Sequence, residues 1–263
     1  MKHTLKVLDI NMQNKTSLNA DLINAPDTSP GLSRDKVWLM FDRIAGKYDL
    51  LNHLLSFGFD LRWRRKMSCF LPAGNGLSFL DLATGTGDQL ISIMNQTDRI
   101  LRAVGADMSA QMLEIAGKKI KKYKWHTKVQ LQSGEGCKID FPDNTFDVVT
   151  ISFGIRNFSD LQLSLSEIWR VLKPAGRLLI LEFSLPQNPI MRRLHLFYLR
   201  RILPFIGRII SGDDYAYRYL NETIETFPYG NLFCSLLSNR GFAQVQSSAL
   251  TGGIVTIYQG EKL

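Results

Sequence analysis

The sequence is poor in cysteine and has no uninterrupted run of about 18 apolar residues, the length that a membrane-spanning helix needs. Its three cysteines, Cys69, Cys137 and Cys234, lie far apart, form no CxxC pair and have no metal-ligand spacing to the four histidines. A disulfide framework and a zinc site are therefore not indicated, and we expect no bound metal. A reducing cytoplasm is the expected compartment, and any membrane contact must be peripheral.

The N-terminal region lacks the basic and then apolar layout of a secretory signal. We expect residues 1–35 to form a flexible tail and residues 36–263 to form one domain. The net charge of +8 favours an anionic partner, either nucleic acid or a membrane surface. Six lysines between positions 118 and 128 follow a helical pattern that starts near Ser109, and we interpret them as a solvated face.

Alternating strand and helix patterns begin after Leu77 and predict an α/β fold. Five short β-rich runs, separated mostly by helix-length segments, predict a parallel, doubly wound sheet, and two further runs around a Thr-Gly-Gly turn predict a C-terminal antiparallel hairpin. Ser109 is a predicted cap of one helix, Ser159 or Asp160 of the next, and that helix should end at residues 174–176. The predicted strands are residues 78–83, 101–107, 128–133, 146–152, 176–183, 242–250 and 253–260.

The stretch DLATGTGD, residues 81–88, follows the first predicted strand, where a parallel sheet binds its ligand. It lacks the Gly-Lys-Ser/Thr ending of a phosphate-binding loop, so ATP hydrolysis is not indicated. Gly85 and Gly87 fit the first two positions of the dinucleotide fingerprint, but Leu90 occupies the third. Asp107, twenty positions after Gly87, can accept hydrogen bonds from a ribose diol, so adenosine without a pyrophosphate fits better.

Two further loops lead to the same edge of the sheet. Glu135, with the backbone of Gly136, follows the third strand and can read an adenine edge, and Ser152 ends the fourth strand. We infer S-adenosylmethionine as the cofactor. In the alternative interpretation, the two glycines only make a tight turn and Asp107 only caps a helix.

From about Lys36 onward the sequence resembles the ubiquinone/menaquinone biosynthesis methyltransferases, which methylate a ring carbon of a polyprenylated quinol. The segments that carry this resemblance cover well over half of the chain, and the first and third are specific to that family. They are MFDRIAGKYDLLNHLLSFGFDLRWRR (40–65), DLATGTGD, FPDNTFDVVTISFGIRNFSD (141–160), RVLKPAGRLLILEFS (170–184), DDYAYRYLNETIETFP and LTGGIV.

The resemblance implies a class I, Rossmann-like S-adenosylmethionine-dependent methyltransferase with a mostly parallel seven-stranded sheet, a C-terminal hairpin and a helical substrate lid. It places cofactor contacts on Thr86, in the Gly85–Gly87 turn, and on Asp107, Glu135, Gly136 and Ser152. Two positions depart from the family: Glu135-Gly136 stands where Asp or Asn followed by Ala is usual, and Tyr258 stands where His is usual. The expected subdivision is an N-terminal helical lid at 36–72 and a helical substrate-side insertion at 185–240. Apolar residues at three- and four-residue spacing from Trp38 to Leu51 predict that the segment from Val37 to Phe70 is helical and folds over the cofactor, and ordinary core packing of that helical face is the alternative.

Methylation of a quinol ring carbon needs a proton acceptor and donors that hold a developing phenolate. Arg156 and Asn157 follow the fourth strand and are the predicted catalytic residues, with Arg156 as an electrostatic stabiliser; a loop-shaping role is the alternative. The proton acceptor stays open between a water, His53, Asp49 and Asp214. Three tyrosines are expected in the pocket wall: Tyr48, Tyr217 and Tyr219.

The resemblance favours demethylmenaquinol as substrate, with a ubiquinone precursor, 2-methoxy-6-polyprenyl-1,4-benzoquinol, as the alternative. A nucleic-acid methyltransferase, an NAD-dependent oxidoreductase and a non-catalytic adenosine-binding module are remote alternatives; no nucleic-acid partner is expected, and a homodimer is left open. Residues 188–211 combine five arginines with an apolar stretch, which predicts peripheral contact with the inner face of the membrane. A buried helical pair with outward arginines is the competing interpretation.

Overall fold

The computed structural model describes residues 37–211 and 214–263, so the predicted tail at 1–35 lies outside the described residues. Helices and a twisted sheet alternate through the central part of the chain. The helices are α1 (Val37–Leu55), α2 (Phe59–Met67), α3 (Asp88–Met94), α4 (Ala110–Lys122), α5 (Leu161–Val171), α6 (Pro189–Phe197), α7 (Leu203–Ser211), α8 (Asp214–Thr226) and α9 (Asn231–Asn239). The strands are β1 (Leu77–Leu82), β2 (Ile100–Asp107), β3 (Val129–Ser133), β4 (Phe146–Ser152), β5 (Leu172–Phe183), β6 (Phe242–Leu250) and β7 (Val255–Lys262).

The seven strands form one sheet in the order β3-β2-β1-β4-β5-β7-β6. Strands β1 to β5 are parallel, and β7 pairs antiparallel with both β5 and β6. This confirms the predicted parallel sheet with a C-terminal hairpin, whose connection is a short 3₁₀ turn at Thr251–Gly253. The winding reverses between β1 and β4, and a crevice for a ligand is expected outside the carboxyl ends of these strands.

Several helix starts are fixed by local capping hydrogen bonds. The Ser109 hydroxyl accepts from the Met112 amide at 3.2 Å, and the Asp160 carboxylate accepts from the Leu163 amide at 2.9 Å. Ser109 is thus the cap of α4 as predicted, and Asp160, rather than Ser159, is the cap of α5.

The predicted start of the fifth strand is wrong by four residues. The pattern predicts that the helix after Asp160 includes Leu172 and ends at residues 174–176. In the structure, Leu172 is fully buried and pairs with Phe146 as the first residue of β5. The register then shifts, so that Arg177 pairs with Val148, and Ala175 takes a positive φ of 61°. Residues 174–176 therefore form an irregularity inside the strand, which their turn-forming residue types hide in the sequence.

Three apolar cores hold the fold together. Alternate residues of β1 point to opposite faces, so Leu80 belongs to the core under α5 and α9 whereas Phe79 belongs to the core under α2 and α3. A third core joins α1 to the helices after β5, and its buried members are Val37, Met40, Leu51, Leu185, Leu199, Leu203 and Ile224. Helix α1 and the helices after β5 thus share a separate apolar core, which positions them over the carboxyl ends of the strands.

The segment at 188–211 is helical but interrupted. Asn188 caps α6, with Pro189 as its first residue, and a π-helical turn at Tyr198–Ile202 separates α6 from α7. No helix within the described ranges is both long and apolar enough to cross a membrane.

Candidate active site

The turn after β1 is built from backbone conformations that favour glycine. Gly85 and Gly87 have φ values of 55° and 85°, and Gly87 is the N-cap residue of α3. A Cβ at Gly85 would meet no protein atom within 4 Å, so a side chain there would project into open space. A Cβ at Gly87 would lie 3.3 Å from Ala116 of α4, so this glycine allows close helix packing.

Beneath this turn a buried carboxylate organises the loop. Asp81 of β1 accepts hydrogen bonds from the hydroxyls of Thr84, at 2.7 Å, and Thr150. Burial raises the pKa of Asp81 to about 6, although both hydroxyl donors oppose the shift. The sequence analysis does not predict Asp81 as a site residue. Its place as the first residue of DLATGTGD is the signal that could have identified it.

A crevice of about 100 Å³ opens at the switch point of the sheet. Five of the seven predicted cofactor residues line it: Gly85, Asp107, Glu135, Gly136 and Ser152. The Asp107 carboxylate accepts from the Gly85 amide at 2.8 Å and the Ser109 amide at 2.9 Å. Burial raises the pKa of Asp107, and these N–H donors act against that shift. Each carboxylate oxygen retains a second lone pair for a ligand hydroxyl.

Thr86 and Gly87 are placed differently from the other predicted cofactor residues, because neither lines the crevice. The Thr86 hydroxyl donates to Asp49 of α1 at 2.6 Å. Asp49 also forms an ion pair with Lys119 at 2.6 Å, and Lys119 pairs with Asp88 at the same distance. Lys119 therefore departs from the solvated face predicted for the lysine cluster.

The loop after β3 accounts for one departure from the family pattern. A Cβ at Gly136 would lie 2.5 Å from the Phe158 ring, so a residue with a side chain does not fit beside this phenylalanine without a shift. Glu135 is hydrogen-bonded to the Ser159 hydroxyl, next to Phe158. On the fourth strand, the Ser152 hydroxyl donates to Gln89 at 2.9 Å. The Tyr258 departure lies elsewhere, because its hydroxyl accepts from the Gly230 amide at 2.8 Å within the core.

A second, larger cavity of about 350 Å³ adjoins the crevice, and the two share Phe41, Tyr48 and Phe153. Its wall is formed by α1, α2, the end of β5, and the helices from α6 to α8. Most of the lining is apolar, and the polar lining residues are Tyr48, Asn52, Ser56, Asp60, Arg64, Arg156, His195, Tyr198, Tyr219 and Thr251. An apolar ligand with a few polar atoms fits such a cavity.

Arg156 lines this cavity and is almost fully buried. One guanidinium nitrogen donates to Glu182 at 2.6 Å and to the Phe153 carbonyl at 2.7 Å, while its Nε has no partner. Burial raises the pKa of Glu182, against the pull of the Arg156 charge. Asn157 lines the crevice instead, and its side-chain oxygen accepts from the Tyr219 hydroxyl at 3.1 Å. The two predicted catalytic residues thus face adjoining cavities.

His195 of α6 is a cavity residue that the sequence did not indicate. Its side chain is buried, its Nε2 has no hydrogen-bond partner, and desolvation lowers its pKa. A neutral imidazole in this wall can bond a polar atom of a ligand.

The candidate proton acceptors are also separated by the structure. Asp49 is bound to Thr86 and Lys119, and the side chain of Asp214 lies outside the described residues. His53 does not line the larger cavity, but its Nδ1 lies 2.7 Å from the carboxylate of Asp60, which does line that cavity. Among the described residues, no cluster of His, Cys, Asp and Glu could hold a metal ion.

The fold and the glycine crevice define the class of S-adenosylmethionine-dependent methyltransferases. A methyltransferase of Thermotoga maritima, titled a possible histamine N-methyltransferase, superposes with a TM-score of 0.59 at 18% identity, covering 86% of this chain and 99% of its own. A phosphoethanolamine N-methyltransferase of Haemonchus contortus in complex with S-adenosyl-L-methionine gives a TM-score of 0.54 at 16% identity, covering 73% and 50%. These likenesses concern the fold.

Residues 30–262 match the model of the ubiE/COQ5 methyltransferase family, and the chain belongs to this family. The demethylmenaquinone methyltransferase of Bacteroides fragilis is 39% identical over 90% of this chain and 96% of its own length. A protein of the same name from Thermus thermophilus is 41% identical over 85% of this chain and 100% of its own length. The ubiquinone/menaquinone biosynthesis C-methyltransferase of Geobacter sulfurreducens is 43% identical over 85% of this chain and 87% of its own length.

Proposed function

We propose that this chain transfers a methyl group from S-adenosylmethionine to a ring carbon of a polyprenylated quinol, with demethylmenaquinol as the first candidate. The observation that carries the proposal is the pair of adjoining cavities, a crevice that contains Asp107 at the switch point and a larger, mostly apolar cavity, which meet at Phe41, Tyr48 and Phe153. The names of the Bacteroides and Thermus relatives support demethylmenaquinol. The ubiquinone precursor is the second candidate, supported by the name of the Geobacter relative.

The crevice residues fit the cofactor by their chemistry. Asp107 offers a carboxylate for a ribose diol, and the Glu135–Gly136 backbone lies where an adenine edge can be read. Gly85 leaves open space in which a ligand can approach the backbone. When bound there, S-adenosylmethionine supplies an electrophilic methyl group.

The residues of this chain would contribute alignment and charge. The apolar wall excludes water and orients the ring, which accounts for much of the catalysis of a displacement between two bound reactants. Arg156 and Asn157 are proposed to stabilise the phenolate oxygen by donating hydrogen bonds. Because Glu182 neutralises Arg156, the pair contributes directed N–H donors rather than a free positive charge.

The acceptor test compares three substrates under anaerobic, reducing conditions with radiolabelled S-adenosylmethionine. We expect label in reduced demethylmenaquinone, less or equal label in the reduced ubiquinone precursor, and none in RNA. The proposal fails if neither quinol acquires label while the protein binds the cofactor.

Peripheral membrane contact is part of the same proposal, because an isoprenoid substrate must arrive from lipid. Large apolar side chains are exposed around the cavity: Leu50, Leu54, Phe57, Ile190, Leu194, Phe197 and Phe205. Phe57 and Leu194 also line the cavity, so the exposed apolar surface continues into it. Arg192, Arg193 and Arg201 are exposed beside it, whereas Arg200 is paired with Glu225 at 2.5 Å.

Liposome flotation tests this contact. We expect binding to anionic vesicles, weaker binding to neutral vesicles, and loss with added salt, because basic residues near an anionic surface contribute about 1 kcal/mol each. Replacing Arg192, Arg193 and Arg201 by Gln should weaken binding, whereas the same change at Lys121, Lys122 and Lys124, on the lysine cluster, is the matched control. Equal loss in both triple variants, or no flotation at low salt, would contradict a specific docking face.

A further inference from the structure

Asp60 is a buried carboxylate in the wall of the larger cavity, and no role has been assigned to it. Among the described residues that line this cavity it is the one Asp or Glu side chain. Its exposed fraction is 3%. Any acceptor for a ligand proton within this wall must therefore be Asp60 or a neutral group.

The carboxylate is held on both sides by residues from the end of α1 and from the turn that follows it. The Ser56 hydroxyl donates to Oδ1 at 2.7 Å, and the His53 Nδ1 lies 2.7 Å from Oδ2. A sharp turn with positive φ at Phe57 and Gly58, 53° and 72°, brings α1 and α2 into this arrangement. Asp60 also lies in the first turn of α2, where the helix dipole favours a negative charge.

The position of Asp60 relates it to the cofactor crevice. Trp63 and Arg64, one helical turn further along α2, both contact Phe153, with centroid distances of 6.2 Å for the Trp63 ring and 5.2 Å for the Arg64 guanidinium. Phe153 lines both cavities. Asp60 therefore lies about one turn of α2 before the two residues that contact this junction, and it lines the same cavity as Phe153.

We infer that Asp60 accepts the hydroxyl proton of the quinol during methylation and that His53 is the positioning residue that holds its carboxylate. The inference rests on the proposed function. It replaces two of the candidate proton acceptors, because Asp49 is engaged in ion pairing outside the cavity and His53 reaches the cavity through Asp60.

Proton transfer from the quinol to Asp60 is coupled to methyl transfer in the proposed step. The quinol O–H bond breaks and Asp60 receives the proton, while the oxygen electron pair conjugates into the ring and the ring carbon forms its bond to the methyl group. Bound S-adenosylmethionine would supply the methyl group, and its sulfur would keep the electron pair of the sulfur–methyl bond. The methylated carbon then releases its hydrogen as a proton to water, and Asp60 returns its proton to the quinol oxygen, so one proton is released in total.

Asp60→Asn tests this role, because it keeps the shape and removes the base. We expect kcat to fall by about 10²–10⁴-fold, the usual contribution of a general base, with little change in quinol KM or cofactor affinity. Asp60→Glu should recover part of the rate. Asp98→Asn, on an exposed loop far along the chain from the site, is the matched control and should match the wild type.

The pH dependence separates a base from a structural residue. The rate of Asp60→Asn should rise about tenfold per pH unit between pH 7 and 9, because ionised quinol from solution then replaces the missing base. The wild-type rate should change much less over this range. The charged and titratable groups that line the cavity with Asp60 are Tyr48, Arg64, Arg156, His195, Tyr198 and Tyr219, and His53 contacts Asp60 from outside the lining.

The outcomes of the proposal and of this inference are distinguishable. A wild-type protein that methylates no quinol contradicts the proposed function. An active wild type with Asp60→Asn within tenfold of its kcat and a parallel pH profile overturns only the role of Asp60. If Asp60→Asn does not fold, as judged by circular dichroism, His53→Gln decides, since it should lower kcat at unchanged quinol KM, and an unchanged kcat would overturn the inference.

Discussion

At the scale of single residues, Asp107 carries the interaction expected to matter most for cofactor recognition. It lies at the end of β2 with two backbone donors already in place, so its carboxylate is oriented before a ligand arrives. The sequence pointed to this residue because its spacing from Gly87 places both at the same edge of a parallel sheet.

Replacing Asp107 by Ala should weaken S-adenosylmethionine binding by about 1.5–3 kcal/mol, which is about 10–150-fold in Kd. Asp107→Asn keeps one acceptor oxygen and should lose less. Isothermal calorimetry measures both. Unchanged affinity in Asp107→Ala, or tighter binding of NAD than of S-adenosylmethionine, would contradict the assignment of the crevice.

Asp81 makes the stability of the protein depend on pH in an unusual direction. Its pKa is about 6 in the folded protein and near 3.9 when unfolded, so the folded state binds more protons between these values. The stabilisation from the protonated form is complete below pH 4 and is lost as the pH rises through 6. At 1.36 kcal/mol per pH unit, the loss is on the order of 3 kcal/mol.

Asp81→Asn should remove this dependence. Relative to the wild type, the variant should gain unfolding free energy between pH 4 and pH 7, as measured by urea denaturation at several pH values. A constant difference between the two proteins across this range would show that the pKa of Asp81 is not raised.

At the scale of elements, α1 is connected to the sheet domain on the cofactor side. Asp42 accepts hydrogen bonds from the Ser109 hydroxyl and the Gln111 amide of α4's first turn, and Asp49 binds Thr86 and Lys119. Phe41 and Tyr48, on the same helix, line both cavities. These contacts support the proposal that α1 is a lid over the cofactor.

Asp49→Asn tests the lid connection, because it removes the ion pair with Lys119 and retains an oxygen for Thr86. We expect amide hydrogen exchange in α1 to become about fivefold faster, corresponding to a partly exposed ion pair of up to about 1 kcal/mol. Exchange elsewhere in the sheet should not change. Asp98→Asn serves as the control, and an equal α1 exchange rate in both variants would argue against this connection between α1 and the sheet domain.

The elements themselves were predictable to different degrees. The strands and the caps of α4 and α5 follow from period-2 apolar runs and from side chains that accept backbone hydrogen bonds, and apart from the start of β5 the strand bounds lie within two residues of the predicted ones. The beginning of β5 was missed because Pro174 and Gly176 are turn-forming residues that here form an irregularity within a strand. The pairing of His53 with Asp60 was also missed, because it depends on the direction of the chain across Phe57 and Gly58, which residue types do not specify.

At the scale of the whole molecule, two cavities and an exposed apolar surface lie on one side of the sheet. The crevice with Asp107 is at the switch point, the larger apolar cavity adjoins it, and exposed Phe57 and Leu194 connect that cavity to the surface. This arrangement supports the proposed reaction between a water-soluble methyl donor and a lipid acceptor.

The position of the transferred methyl group tests this account most directly. Purified protein is incubated anaerobically with reduced demethylmenaquinone and S-adenosylmethionine deuterated in its methyl group, and the product is examined by mass spectrometry and NMR. The account predicts one deuterated methyl group on a ring carbon of the quinol, and strongly reduced product with Asp107→Ala at low cofactor concentration. A methyl ether on oxygen, or no methylated quinol from a protein that binds the cofactor, would contradict it.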